Sequence, residues 1–253
     1  MSALSRIGGL ARDAWASFRK VELVVLVAGL LLVVGVWVFV AVAVEIAEPG
    51  GGGFDAWAMR ALRDPDEPTK PWGPTWLREI GRDLTSLGSE SVLATAVLLT
   101  AGGLLLAKKA RAAAYVAGAT VSGVLANAVL KAVFARERPD EAIRSVAVAS
   151  SSFPSGHAMS AAIVYLTLGT FVARIVKGRA LQLWVFGSCV ALTFVVGLSR
   201  VYLGVHYPTD VVAGMAIGFA WAIGWWLVAE VLAGRAARRD GGDAPASLEP
   251  PRA

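Results

Sequence analysis

Cysteine is nearly absent from the chain: Cys189 is the single one, so no intramolecular disulfide can form. Histidine is almost as scarce, with His157 and His206 alone. Charged residues make up 17% of the sequence, against about 25% in ordinary soluble domains. Low charge with high apolar content excludes an intrinsically disordered chain. The lone cysteine excludes a disulfide scaffold, and nothing in the composition suits a collagen-like fibre. Cys189 itself falls inside a long apolar run, where it reads as a small apolar filler.

Apolar residues account for 56% of the chain, with a mean hydropathy of +0.61, and they are gathered into blocks. Crossing a bilayer core about 30 Å thick takes about 20 apolar residues of helix. Six blocks reach or approach that length: Leu23–Val44, Ser91–Ala107 (extendable back through Leu84–Leu87), Ala112–Leu130, Ala158–Val176, Ala180–Ser199 and Val211–Ala233. They predict an all-α, polytopic membrane protein built as a six-transmembrane-helix bundle. The first block follows a basic leader and contains Ala41-Val42-Ala43, small residues at the spacing of a cleavage site. It is nevertheless longer than the roughly 7–15 apolar residues of a cleavable signal, so it reads as a signal-anchor. The expected organisation is one membrane domain over residues 1–237, followed by a disordered cytoplasmic tail over 238–253.

The net charge of +5 reflects topology and does not imply a nucleic-acid partner. The connections Lys108–Arg111 and Arg174–Arg179 each carry three cations and no anion, and the positive-inside bias acts through such short loops. Both termini are therefore expected in the cytoplasm, with residues 45–90, 131–157 and 200–210 on the outer side of the cell membrane. The first outer segment is acidic (Glu45, Glu48, Asp55, Asp64, Asp66, Glu67, Glu79, Asp83). Glycines after Pro49 and the prolines at 65, 68, 71 and 74 break it. Phe54–Arg63 and Trp76–Leu87 remain as short helices, lying in the headgroup layer or packed as a lid. Trp72 and Trp76 have the placement of interfacial aromatics.

In so apolar a chain the polar clusters are informative. Lys131 to Pro139 closes the third block, Pro154-Ser155-Gly156-His157 opens the fourth, and Ser199-Arg200, His206 and Asp210 bridge the fifth and sixth. Span counting alone brings all three to one membrane face. A phosphoryl group in transfer spreads charge over three oxygens, so a site for it needs cations, donors and an in-line nucleophile. Lys131, Arg138 and Arg200 supply cations, two of them with guanidinium forks matched to phosphate. Ser155 and Gly156 open a helix, where free N–H groups and the dipole favour an anion, and glycine lets a ligand approach the backbone. His206 with Asp210 four residues on pairs an imidazole with an orienting carboxylate, and His157 can protonate a leaving oxygen.

These segments read K-x6-R-P, P-S-G-H and S-R-x5-H-x3-D, and together they resemble the three-part signature of the type 2 phosphatidic acid phosphatase (PAP2) superfamily. The signature region covers roughly a third of the chain. Arg82 to Ser89, before the second block, also resembles a stretch common in bacterial members. The resemblance implies metal-independent, cofactor-free hydrolysis of phosphate esters or anhydrides through a phosphohistidine on His206. Asp210 would orient it, and His157 would act as general acid. Lys131, Arg138, Ser155, Gly156 and Arg200 would bind the phosphate. The implied partners are membrane lipids and a lipid phosphate substrate, with undecaprenyl diphosphate, phosphatidylglycerophosphate, phosphatidic acid and diacylglycerol diphosphate as candidates. Nothing in the sequence fixes an oligomeric state.

Plainer roles attach to some of the same residues. A lone cation at a membrane helix end is usually a snorkelling anchor, and Arg136 and Arg144 are read that way. Asp210 also suits the first turn of a helix as a dipole-complementing carboxylate. Two histidines and an aspartate could hold a metal, but the neighbouring cations would repel a divalent ion. Gly214 and Gly218 form a close-packing step between helices, and Asn127 is expected to face the bundle. A phosphatase for soluble esters, a phosphotransferase, or a non-catalytic lipid-binding or transport relative would share much of this pattern.

Overall fold

The computed structural model describes the backbone of residues 3–48, 52–145 and 150–239, with side chains described from residue 23 to 235 of these. The expected tail lies outside the described residues, apart from Arg238 and Arg239, which end the last helix. Among the described residues regular structure is helical, with one isolated bridge pairing Arg63 and Pro71. The helices are α1 (Ala3–Ala47), α2 (Gly53–Ala61), α3 (Thr75–Ser86), α4 (Glu90–Leu106), α5 (Ala110–Phe134), α6 (Gly156–Ile175), α7 (Arg179–Tyr202) and α8 (Pro208–Arg239), with a single 3-10 turn at Glu141–Ile143.

Six helical segments are long and apolar enough to cross a membrane, and they coincide with the six sequence blocks. The second is the least regular. At 1.5 Å per residue the 17 residues of α4 reach only about 25 Å, and α3 precedes it across a break at Leu87–Ser89, the two together forming the candidate span Thr75–Leu106. That break is set by local chemistry. Ser89 accepts the Val92 N–H at 3.4 Å as N-cap, and Glu90 stands in the first turn where the dipole favours an anion.

The helix ends that carry the polar segments are equally well determined. Ala135 closes α5 in the left-handed region at φ 43° and turns the chain away from Lys131. Ser155 is the N-cap residue of α6. Gly204, at φ 74°, makes the tight turn between α7 and α8, and Pro208 occupies the first position of α8, where a missing N–H is harmless.

The bundle is centred on α6, which packs against α5, α7 and α8, while α1 lies on α8 and α4 on α5. Half of the most apolar window of α6 is buried, against 6% for α1, whose leucines and valines face outward as lipid-facing residues do. Small residues allow the close crossings. A Cβ on Gly214 would stand 2.6 Å from the Ser155 carbonyl oxygen, and one on Gly218 would stand 2.7 Å from that of Met159. The G-x-x-x-G step in α8 therefore seats the start of α6, as expected for van der Waals packing in lipid.

Both helices expected in the first outer segment are present, as α2 and α3. Trp57 of α2, Trp76 of α3 and Trp72 in the connection between them are exposed. α3 packs on α7, and α2 packs on α8 through buried Asp55 and Met59. Of the two arrangements open for this segment, the packed one describes α2.

Candidate active site

The three polar segments converge at the end of the bundle where α5 stops and α6 and α8 start. Lys131, in the last turn of α5, donates from Nζ to the Ser151 carbonyl oxygen at 2.6 Å. Arg138 Nη2 reaches the same oxygen at 3.2 Å, and Nη1 donates to the Val205 carbonyl at 2.6 Å. Nη1 also lies 3.2 Å from Nε2 of His206. On the other side of the imidazole, Nδ1 faces Asp210 Oδ2 at 3.4 Å. From Asp210 the chain of contacts returns to α6: its backbone oxygen accepts the Ser155 N–H at 3.0 Å, and its Oδ2 accepts the Ser152 hydroxyl. Gly156 closes the circuit: a Cβ added there would meet the Lys131 side chain at 3.6 Å as well as the Asn127 amide.

Burial is deep within the circuit, with Ser152 and Ser155 fully buried. Asp210 is fully buried and His206 is 1% exposed. Burial pushes the His206 imidazole down to about 4; the Asp210 carboxylate opposes this and Arg138 adds to it. The imidazole is therefore neutral at physiological pH. Burial also lowers the Arg138 guanidinium, to about 10, with Asp210 opposing and Arg144 reinforcing the shift, and it remains a cation.

Ser155 makes no side-chain cap bond, and its buried Oγ has no protein partner among the described residues. The expected space for a ligand beside Gly156 is partly taken by Asn127: a Cβ there would sit 2.9 Å from Asn127 Nδ2. Asn127 thus faces the bundle at the site, with its Oδ1 buried and unpaired. Arg200, in the last turn of α7, is buried and donates to Thr85 Oγ1 of α3 at 3.0 Å. His157 lies half-buried in the first turn of α6. Among the described residues neither side chain makes a hydrogen bond to Lys131, Arg138, Ser155, His206 or Asp210. They border the circuit without belonging to it.

A cavity of about 370 Å³ opens beside this circuit, lined by Lys131, Arg136, Arg138, Arg144 and Ser151 among others. The histidines do not line it. It marks the polar approach to Lys131 and Arg138 and not the position of the imidazoles.

Two residues read as anchors have other work. Arg144 donates from Nε to the Pro139 carbonyl at 2.7 Å and pins the loop that follows α5. Arg136 points inward. Its Nη1 donates to Asp210 Oδ1 at 2.6 Å and to Thr209 Oγ1 at 2.9 Å, and its Nη2 donates to Asp55 Oδ2 at 2.8 Å. The guanidinium lies over the Tyr207 ring, 4.4 Å from its centroid. Burial disfavours its charge, but Asp210 and Asp55 hold its pKa above the ordinary value. Snorkelling fails as an explanation because two buried carboxylates offer more than the interface does. Asp55 escaped notice among the acids of its segment. A signal was present, since Asp55 and Met59 share one helical face, and a carboxylate on the apolar face of a short helix needs a partner.

Comparison with known proteins places the chain among phosphatases. A family model described as the PAP2 superfamily matches residues 112–232. Phosphatidylglycerophosphatase B of Bacillus subtilis is 34% identical over 146 residues, which cover 56% of this chain and 70% of that protein. Decaprenylphosphoryl-5-phosphoribose phosphatase of Mycobacterium tuberculosis is 39% identical over 105 residues, 40% of this chain and 52% of that one. A crystal structure of a transmembrane PAP2-type phosphatidylglycerolphosphate phosphatase from Bacillus subtilis superposes with a TM-score of 0.70 at 29% identity. That match covers 79% of this chain and 96% of the other.

Proposed function

The chain belongs to the PAP2 superfamily of phosphatases, and on that premise we propose that it hydrolyses a lipid phosphate or diphosphate through a phosphohistidine on His206. The observation that carries the proposal is the alignment of Arg138, His206 and Asp210. Arginine can only donate, so its approach to Nε2 supports a lone pair there. The proton then sits on Nδ1, toward Asp210. This is the tautomer a nucleophilic imidazole needs.

In the first step the Nε2 lone pair attacks phosphorus, the N–P bond forms, and the ester P–O bond breaks. The departing oxygen takes a proton from His157 as general acid. In the second step water attacks phosphorus, His157 takes its proton, and the N–P electron pair returns to His206 with release of inorganic phosphate. Lys131, Arg138, Arg200, Ser155 and the N–H groups at Gly156 hold the phosphoryl oxygens. The chemistry asks for no metal.

A lipid substrate is supported by the position of the site at the end of the membrane-spanning helices, at headgroup level, and by the named substrates of the relatives. Polyprenyl diphosphates and phospholipid phosphates are the two leading classes. The cation-rich short connections support cytoplasmic termini and a site on the extracytoplasmic side. Release of inorganic phosphate is the test, using purified protein in detergent with excess chelator. The panel compares mono- with diphosphates, and polyprenyl with diacylglycerol and soluble esters. Turnover of a lipid phosphate in chelator is expected. Strict metal dependence contradicts the mechanism, and a preference for a soluble ester contradicts the substrate class.

A further inference from the structure

We propose that Asp55 and Arg136 are positioning residues for the His206–Asp210 pair: Asp55, on helix α2 outside the spans, orients Arg136, and Arg136 fixes the Asp210 carboxylate against the imidazole. The proposal rests on the reading of His206 and Asp210 as the reacting pair, and adds an extramembrane helix to their support.

The two oxygens of Asp210 have separate partners. Oδ2 faces His206 Nδ1 and accepts the Tyr207 N–H at 2.9 Å and the Ser152 hydroxyl. Oδ1 accepts from Arg136 at 2.6 Å, its one side-chain donor among the described residues. Without that bond only the donors on Oδ2 hold the carboxylate, and Oδ1 loses the contact that sets its plane against the ring. Arg136 is in turn held on its second nitrogen by Asp55, and in its plane by the Tyr207 face.

Asp55 also reaches the helix that carries Asp210. Its Oδ1 accepts the Thr209 N–H at 3.0 Å and its Oδ2 accepts the Thr209 hydroxyl. A carboxylate from a different helix thus supplies a cap for the start of α8. One buried group, 1% exposed, therefore references both Arg136 and the α8 start to α2.

Charge points the same way. An isolated Arg136–Asp210 pair would cancel much of the field of Asp210 at His206. Two carboxylates around one guanidinium leave a surplus negative charge on the Asp210 side of the ring, opposite the Arg138 cation. That charge is complemented when His206 becomes cationic on phosphorylation. A purely structural staple between α2 and the bundle would need neither the shared guanidinium nor this surplus charge.

The test compares kcat, KM and inhibition by inorganic phosphate in the full-length chain, for Asp55→Asn, Arg136→Lys, Asp210→Asn and the doubles with Asp210→Asn. Each is measured on protein that elutes folded from size exclusion. Asp55→Asn is expected to lower kcat about tenfold or more, with KM and the phosphate inhibition constant within about twofold. In the Asp210→Asn background the same change should alter kcat by less than about twofold, because the route it acts through is gone. Arg136→Lys should behave alike, since a lysine cannot span both carboxylates in the guanidinium plane, and it decides the matter if Asp55→Asn does not fold. Wild-type kcat in Asp55→Asn overturns the proposal. So does a loss confined to KM, or an equal loss in both backgrounds. Full activity in Asp210→Asn would instead overturn the reacting pair itself, and the proposal with it.

Discussion

Arg138 and Asp210 stand on opposite sides of the His206 ring, Nη1 at 3.2 Å from Nε2 and Oδ2 at 3.4 Å from Nδ1. A donor on one nitrogen and an acceptor facing the other leave a single neutral tautomer consistent with both. Burial and the Arg138 charge keep it neutral against the pull of Asp210.

That arrangement is measurable directly. In a His157→Gln background His206 is the only histidine, so NMR titration of tag-free protein reads it alone. The midpoint is expected near 4, well below 6.5. Arg138→Gln should raise it by removing a repelling cation. Because the folded pKa is depressed, the neutral form is present above about 4 and lost as pH falls through it. The stability linked to this group declines as pH falls from 6.5 towards 4. A midpoint at 6.5 would show the ring to be solvated.

Asp210→Asn keeps the shape of the side chain but removes its charge. Turnover is expected to drop by a factor on the order of 10² or more, as for other orienting aspartates, while KM stays within a few-fold. Steady-state phosphate release checks this. A change in KM alone would contradict the orienting role.

Close packing at the start of α6 predicts a contrast between two glycines. Gly214→Ala forces a methyl to 2.6 Å from the Ser155 carbonyl. It should destabilise by about 1–3 kcal/mol and disturb the Ser155–Gly156 helix start, lowering activity. Gly102→Ala meets nothing within 4 Å and should leave activity unchanged, with stability equal or slightly raised because the position is inside a helix. Thermal unfolding in detergent, with activity measured in parallel, distinguishes them.

The spans and three polar segments were legible because the chain is so apolar: a cation or histidine bordering a long run has few bland explanations when several occur together. The helix start at Ser155 and the first-turn place of Asp210 follow from local chemistry, and so were readable too. Arg136 departs from the sequence expectation because a single cation after a membrane helix fits snorkelling, while its partners lie 74 and 81 residues away in sequence. Long-range pairing of this kind has no local periodicity to betray it. Asn127 was read as bundle-facing, but its position against Gly156 depends on how closely α5 and α6 approach, which side-chain size sets only once the helices are packed.

Sidedness gives a further prediction. In a Cys189→Ser background, a membrane-impermeant thiol reagent applied to intact cells should label Glu141→Cys and spare Lys109→Cys until the membrane is opened. Both positions are exposed in the fold, so accessibility is decided by topology alone. The reverse pattern would place the site in the cytoplasm.

The most direct test of the central claim is to trap the phosphorylated enzyme. Protein mixed briefly with a lipid phosphate carrying labelled phosphorus, in excess chelator, is quenched in alkaline detergent, where a phosphoramidate bond to histidine survives. The account predicts a base-stable, acid-labile label on His206 that disappears in His206→Ala. A label that persists in His206→Ala, or active enzyme that never acquires one, would contradict it.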